Sequence, residues 1–194
     1  MAETPVAYAA DQIAAILADA EQIHRRVAEI GAAITADYQD RDLHVVSVLK
    51  GSMMIVVDLL RAIGRPVSVD FIAVTSYGPQ TRHRGVVRLI KDLDQSIEGR
   101  NILVVEDVID TGLTLNYILR TLRARQPASL EIATLLDKPI HRLIDLPIRY
   151  VGFSIPDQFV VGYGLDYQGR FRNLPFLATL KPDVMSEPPL APLP

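Results

Sequence analysis

The stretch Ile102-Leu103-Val104-Val105-Glu106-Asp107-Val108-Ile109-Asp110-Thr111-Gly112-Leu113-Thr114 passes from an apolar run into paired acids and then into a short polar loop. An unbroken apolar run bounded by turn residues reads as a buried strand. Residues 115–125 then recover a helical pattern, so the order is strand, acids, loop, helix. In α/β sheets, ligands bind beyond the carboxyl ends of the strands. The first turn of the following helix offers unpaired backbone N–H groups and a favourable dipole to an anion. Gly112 permits close backbone approach, and Thr111 and Thr114 add hydroxyl donors, so residues 110–114 form a candidate cradle for a single phosphate. The GK[ST] ending of a Walker loop is missing. Glu106 and Asp107 can accept hydrogen bonds from sugar hydroxyls or help to hold a hydrated Mg²⁺. A phosphate cradle beside such acids fits a phosphorylated ribose. Any strand-to-helix loop also favours Asp, Thr and Gly as caps and turns, so the order of the parts carries more than their composition.

Outward from this stretch, strands alternate with helices. Apolar residues at threes and fours predict a helix over residues 10–38, with Asp11 as a candidate cap. Residues 43–49 read as a buried strand, residues 53–63 as a helix stopped by Gly64-Arg65-Pro66, and residues 67–75 as a second strand. Residues 76–85 are polar and contain Gly78, Pro79 and Gly85, which predicts a long loop able to act as a lid. Further strands are expected at 86–91, 101–105, 130–136, 150–153 and 159–162. Prolines accumulate after residue 182, so residues 182–194 are expected to lack order. The alternation predicts an α/β fold with a central parallel sheet flanked by helices.

The bulk properties agree. A chain of 194 residues is long enough for one domain with a substantial core. A net charge of −3 argues against general nucleic-acid binding, which depends on neutralising phosphates. Without cysteine there can be no disulfide, thiolate catalysis or cysteine-held metal. The N-terminal residues lack the basic-then-apolar pattern of a secretory signal, and no apolar run reaches the length of a membrane span. The expectation is a cytoplasmic enzyme with small-molecule substrates and neither nucleic acid nor membrane as a partner.

The run VVEDVIDTGLTL resembles the phosphoribosyl pyrophosphate signature of type I phosphoribosyltransferases, and within them it is most similar to the hypoxanthine (guanine) phosphoribosyltransferases. SVLKGS at 47–52, SYG at 76–78, LIKDLDQSIEGRNILVVEDVIDTG at 89–112, LLDKP at 135–139 and VGFSIPDQFVVGYGLDYQGRFRNLP at 151–175 resemble the same family in the expected order. The resemblance covers residues 37–180. It implies the type I phosphoribosyltransferase fold, with a small C-terminal hood over the sheet. The expected division is one domain over residues 1–181, with a core at 37–150 and a hood at 151–180 plus part of the N-terminus.

The resemblance also implies roles. Leu49, Lys50 and Gly51 correspond to a pyrophosphate-binding turn, with a cis peptide between Leu49 and Lys50; read alone, Lys50-Gly51 is an ordinary end to a strand. Glu106 and Asp107 correspond to ribose-binding acids, and Asp110 to the residue proposed to exchange a proton with purine N7. Asp110, Thr111, Gly112, Leu113 and Thr114 correspond to the 5′-phosphate loop. Lys138 corresponds to the donor to the purine 6-oxo group, Phe159 to the aromatic that stacks on the base, and Val160 to the residue whose backbone reads the purine edge. Read alone, Lys138 is a solvated turn lysine and Phe159 a core residue. Asp166 corresponds to an acid at the purine and Mg²⁺ site, so Glu106, Asp107 and Asp166 are the candidate metal residues, and Arg172 corresponds to a pyrophosphate contact. Ser76 and Tyr77 correspond to the loop that closes over the site. Leu113 stands where some relatives carry lysine, and Gly164 where some carry a larger residue. The implied activity is salvage of hypoxanthine and guanine with Mg²⁺, in a homodimer or homotetramer. The alternatives are a xanthine-preferring enzyme and a regulator that binds phosphoribosyl pyrophosphate without catalysis.

Overall fold

Alternating apolar side chains build a sheet with a separate core on each face. The computed structural model describes residues 9–76 and 87–186. Its elements are β1 (Ile13–Ala18), α1 (Ala20–Asp37), β2 (His44–Leu49), α2 (Met53–Ala62), β3 (Ser68–Ser76), β4 (Val87–Lys91), β5 (Asn101–Ile109), α3 (Leu113–Arg123), β6 (Ser129–Asp137), β7 (Tyr150–Ser154), β8 (Leu177–Leu180) and α4 (Pro182–Ser186). A 3₁₀ turn at Pro139–His141 follows β6. Six strands form one sheet in the order β4-β3-β2-β5-β6-β7, and β1 pairs with β8 in a second. The pairs from β3 to β7 are parallel, and β4 adds an antiparallel edge.

The two-residue period of β2 and β5 sorts side chains to opposite faces. Val45, Leu103 and Val105 meet Ile23, Val27, Ile30 and Ile34 of α1 and Ile55, Val56 and Leu59 of α2. Val46, Ile102 and Val104 meet Leu115, Ile118, Leu119 and Leu122 of α3. The edge strand β7 is covered by α1: Arg26 donates from Nε to the Gly152 carbonyl at 2.9 Å and from an Nη to the Val151 carbonyl at 2.7 Å. A sheet edge otherwise left open to pairing is closed in this way.

Four expectations are corrected. The single helix over residues 10–38 is a strand followed by a helix. β1 pairs antiparallel with β8, Ile13 opposite Leu180 and Ile16 opposite Ala178, a tertiary pairing that local periodicity cannot reveal. The helix begins instead at a capping box, where the Asp19 side chain accepts from the Gln22 N–H and the Gln22 side chain accepts from the Asp19 N–H. β5 runs on to Ile109, so Glu106 and Asp107 lie within the strand rather than beyond it. No strand forms over 159–162; Val161 and Gly162 make only isolated bridges. The positive φ of Gly162, Tyr163 and Gly164 turns the chain there, and an extended strand cannot accommodate that conformation. Residues 182–186 are helical, with Val184 buried among Val161, Phe171, Leu174 and Phe176. The rest of the expected tail, residues 187–194, and residues 77–86 of the expected loop lie outside the described residues.

Where α1 crosses α2, Gly31 faces Ala62 so closely that a Cβ would overlap the Ala62 Cβ and its backbone. Overpacking typically costs about 1–3 kcal/mol, which outweighs the gain of about 1 kcal/mol from replacing a helical glycine by alanine. Gly31→Ala is therefore expected to lower the urea midpoint of unfolding without changing its slope.

Candidate active site

The site forms where neighbouring strands part. β2 and β5 pair from His44–Ile102 to Ser47–Val105 and no further. β2 stays paired with β3 as far as Leu49, and β5 with β6 as far as Ile109. The strand order also reverses here, since β2 is followed outward by β3 on one side and by β5 on the other. Such a switch point opens a crevice at the carboxyl ends of the strands. It holds a cavity of about 230 Å³ lined by residues of both strands and their loops, among them Leu49, Gly51, Glu106, Asp107, Asp110 and Thr111, with Gly112 and Thr114 beyond.

On the β2 side, the Leu49–Lys50 peptide is cis, as the resemblance implied. The turn is held from beneath: the buried Ser52 hydroxyl lies 2.7 Å from that of Ser47 and donates to the Val48 carbonyl at 2.5 Å. Leu49 and Gly51 line the cavity, and Lys50 is exposed. On the β5 side, side-chain alternation slips across the acid pair. Val105 and Val108 join one core, while Val104 and Ile109 join the other. Glu106 and Asp107 both reach the crevice as a result. Burial pushes the Glu106 carboxyl well above the usual carboxylate range, and Asp107 adds to it. Burial likewise raises Asp107, opposed by the Val108 N–H that donates to it at 2.8 Å. Among the described residues, no Lys, Arg or His forms an ion pair with either acid. Two neighbouring carboxyls without a direct ion-pair partner, with Arg172 acting on Asp107 only at longer range, favour a hydroxyl donor or a hard cation.

The loop after β5 enters α3 through Gly112, whose φ of 80° is left-handed and whose missing Cβ leaves room for the Ile144 carbonyl. Gly112 has no side chain to cap α3, and the Thr111 hydroxyl accepts from the Leu113 N–H at only 3.4 Å, so the first turn is loosely capped. Leu113 is half exposed on the first turn.

A second cavity, of about 260 Å³, adjoins the first. It is lined by Asp107, Val108, Asp110, Lys138, Phe159, Val160, Leu165 and Asp166. Asp107 and Asp110 border both cavities. Lys138 is only 8% exposed, and its Nζ lies 3.9 Å from Asp110 and 3.8 Å from Asp157. It is thus a buried cation rather than a solvated turn lysine. Phe159 is 48% exposed, lines the cavity and meets Tyr167 in a T-shaped contact at 5.6 Å. It is not a core residue.

Arg172 pairs with Asp166 at 2.5 Å and donates to the Gly164 carbonyl at 2.7 Å. A Cβ at Gly164 would run into the Gly51 carbonyl, and one at Gly51 into the Asp107 carboxylate. The hood segment therefore lies directly on the pyrophosphate-type turn, and glycine at 164 is what permits that contact. Ser76 ends β3, and Tyr77 lies outside the described residues. Among the described residues, no cluster of three or more His, Asp or Glu side chains forms a ready metal cage, and no helix is long and apolar enough to cross a membrane.

Sequence reasoning missed Ser47, Ser52, His141 and Asp157. The serines flank the quoted Lys50-Gly51 turn. His141 lies three residues after Lys138, and Asp157 two before Phe159, but neither spacing announces that they meet. His141 Nδ1 lies 3.1 Å from Asp110 Oδ1, and Nε2 lies 2.9 Å from Asp157 Oδ2.

Comparison with known proteins agrees with this geometry. Residues 14–168 match the phosphoribosyl transferase domain family. The chain is 50% identical over 181 residues to a hypoxanthine-guanine phosphoribosyltransferase of Mycobacterium avium, covering 90% of this chain and 89% of that protein. It is 48% identical over 169 residues to the one of Bacillus subtilis, covering 87% and 94%. A crystal structure of a hypoxanthine phosphoribosyltransferase from Staphylococcus aureus superposes with a TM-score of 0.88 at 45% identity, covering 96% of this chain and all of that one. The chain therefore belongs to the phosphoribosyl transferase domain family, among the hypoxanthine-guanine phosphoribosyltransferases.

Proposed function

We propose that this chain is a purine salvage transferase that joins hypoxanthine or guanine to 5-phosphoribosyl 1-pyrophosphate, giving IMP or GMP and pyrophosphate. The observation that carries the reading is the shared wall. Asp107 and Asp110 border both the cavity beside the phosphate cradle and the cavity holding Lys138 and Phe159. A sugar bound to the first would present C1 to a base bound in the second.

In this arrangement the 5′-phosphate rests on Asp110, Thr111, Gly112, Leu113 and Thr114, with α3 supplying backbone N–H groups. Glu106 and Asp107 accept from the ribose hydroxyls. The base stacks on Phe159, the Val160 backbone reads its edge, and Lys138 donates to the 6-oxo oxygen. The purine N9 attacks C1, pyrophosphate leaves, and C1 inverts through a transition state with cationic character on the sugar. Asp110 near N7 takes or shares a proton as N9 attacks. Leu49, Lys50 and Gly51 and the Arg172 guanidinium receive the leaving pyrophosphate, once Arg172 shares its donors between Asp166 and the ligand. Ser76 and Tyr77 would begin a lid that keeps water from the sugar cation.

The donor set suits Mg²⁺. Glu106, Asp107 and Asp166 are hard oxygen ligands, and the first two have no direct ion-pair partner among the described residues, although the Arg172 charge acts on Asp107. The ion characteristically keeps waters and substrate phosphate oxygens in its shell, so a three-sided protein cage is not required. When bound, it neutralises charge developing on the pyrophosphate. The working unit is proposed as one domain over residues 1–181, assembled as a homodimer or homotetramer in the cytoplasm, without nucleic acid or membrane as a partner.

A spectrophotometric assay with phosphoribosyl pyrophosphate, Mg²⁺ and each of hypoxanthine, guanine, xanthine and adenine tests the reading. Hypoxanthine and guanine are expected to turn over. Adenine is expected to be poorer by a factor on the order of 10⁴, because its amino group opposes the Lys138 donor and leaves that buried group unpaired. Asp110→Asn is expected to lower kcat by about 10²–10⁴-fold. Preference for xanthine would move the assignment to that alternative, and silence with all four bases would end the enzyme reading.

Glu106 gives a second test. Its folded-state carboxyl titrates above its unfolded value, so the folded chain binds the extra proton and loses stability as pH rises from the ordinary carboxylate range through the raised value. Glu106→Gln removes that cost. It is expected to raise the thermal midpoint over the wild type at neutral pH, with the advantage shrinking towards pH 4, while kcat/KM for phosphoribosyl pyrophosphate falls. Equal midpoints at both pH values would show that Glu106 is not held at an energetic cost.

A further inference from the structure

We infer that His141, hydrogen-bonded to Asp110 and set beside Asp157, is a positioning residue that aims the Asp110 carboxylate into the purine cavity. The inference rests on the transferase reading above.

The geometry is specific. One ring nitrogen of His141 lies 3.1 Å from Asp110 Oδ1 and the other 2.9 Å from Asp157 Oδ2. A carboxylate only accepts hydrogen bonds, whereas a neutral imidazole carries one donor and one acceptor. The Asp110 contact is the hydrogen bond, so against an ionised Asp110 the His141 Nδ1 is the donor, while Asp157 lies at ion-pair distance from Nε2. Lys138 stands beside the same pair, 3.9 Å from Asp110 Oδ2 and 3.8 Å from Asp157 Oδ1. Lys138 and His141 thus alternate with two acids in a closed ring. These are the charged groups facing His141 from the elements around it: Asp110 from the loop after β5, Lys138 from the end of β6, and Asp157 from the loop after β7. Arg142, next in sequence, is turned away to Asp137.

The ring gathers segments that line the purine cavity. Asp110 and Lys138 line it directly, and Asp157 precedes the lining residues Phe159 and Val160 by two and three positions. His141 is itself on the 3₁₀ turn that continues from Lys138. That turn is also bound to the cradle by the Leu143 N–H, which donates to the Thr111 carbonyl at 3.0 Å. When a purine arrives, Lys138 must direct its donors to the 6-oxo group. His141 then remains to hold Asp110 by Oδ1, leaving Oδ2 for N7. All three bridging side chains are nearly half exposed, so water screens the bridge, and its effect is on orientation more than on stability.

The test compares His141→Ala, His141→Arg and Asp157→Asn with wild type in steady-state kinetics from pH 5.5 to 8.5, with thermal midpoints and the ¹⁵N spectrum of the histidine rings. Arginine is a two-ended donor that stays charged over this range. His141→Ala is expected to lower kcat/KM for hypoxanthine about tenfold, with KM for phosphoribosyl pyrophosphate and the thermal midpoint unchanged. His141→Arg is expected to restore the rate. In the spectrum, the His141 Nδ1–H signal should be visible at pH 5.5 and should persist in Asp157→Asn, because Asp110 is its acceptor. An alanine variant as active as wild type overturns the inference. So does a slow alanine variant that arginine does not rescue, which would mark a merely structural role. If wild type turns over no purine, the transferase reading fails; the ring spectrum still decides whether His141 holds Asp110, and absence of the Nδ1–H signal removes that contact.

Discussion

The end of the β2–β5 ladder at Ser47–Val105 is the constraint on which the rest of the molecule depends. Within the ladder, Val45, Val46, Leu103 and Val104 are fully buried, so register is fixed by two cores at once. Beyond it each strand keeps its outer partner and the two part. The apolar ladder makes the crevice rigid, and its termination makes the crevice exist. Residues delivered there by β2 and β5 are set by main-chain geometry, which is more precise than a site assembled from loops alone.

The polar content of the crevice opposes folding. Glu106 and Asp107 share a buried corner with no ion-pair partner among the described residues, and their carboxyls are pushed up by desolvation. A chain selected for stability alone would place apolar residues there, as it does at Val104 and Val105. Asp70 shows the other way of burying an acid. It is 5% exposed but accepts from the Phe71 and Asp94 N–H groups at 2.7 Å and pairs with Lys91, and its carboxyl sits below the usual range. The contrast separates a carboxylate satisfied by backbone N–H groups and a lysine from a pair with no ion-pair partner among the described residues, of which only Asp107 accepts a neighbouring backbone N–H at 2.8 Å.

Much of this was legible in the sequence, for a physical reason. The site is built where a strand hands over to a helix, so its parts are consecutive: apolar run, acids, Asp-Thr-Gly loop, helix start. Lys138 and Asp166 sit in similarly local contexts. What could not be read depends on contacts between distant segments. Residues 13–18 carry apolar residues compatible with a helix, and only β8, at Leu177–Leu180, makes them a strand. The strand expected at 159–162 looks extended by composition, but Gly162 and Gly164 turn it so that the hood can touch Gly51. The ring of Asp110, Lys138, His141 and Asp157 joins the ends of β5, β6 and β7, which no local spacing reports.

The hood must then be held in register with the crevice, because the two adjoining cavities are lined by different parts of the chain. Three ties at the base of the hood do this. The Tyr163 hydroxyl donates to Asp58 of α2 at 2.5 Å, and both burial and that bond push its titration upward. The Gly164 backbone lies against Gly51, and Arg172 clasps the Gly164 carbonyl and Asp166 together. Each tie ends within three residues of Val161 and Gly162, where the chain is bridged to β8 and to Leu165. A shift of the hood large enough to misplace Phe159 and Val160 would have to break these contacts against both α2 and the β2 turn. On the proposed reading, the same backbone that closes on Gly51 sets the distance between the base and the carbon it attacks, and holding reactants in that geometry is one part of the barrier a rigid protein can remove.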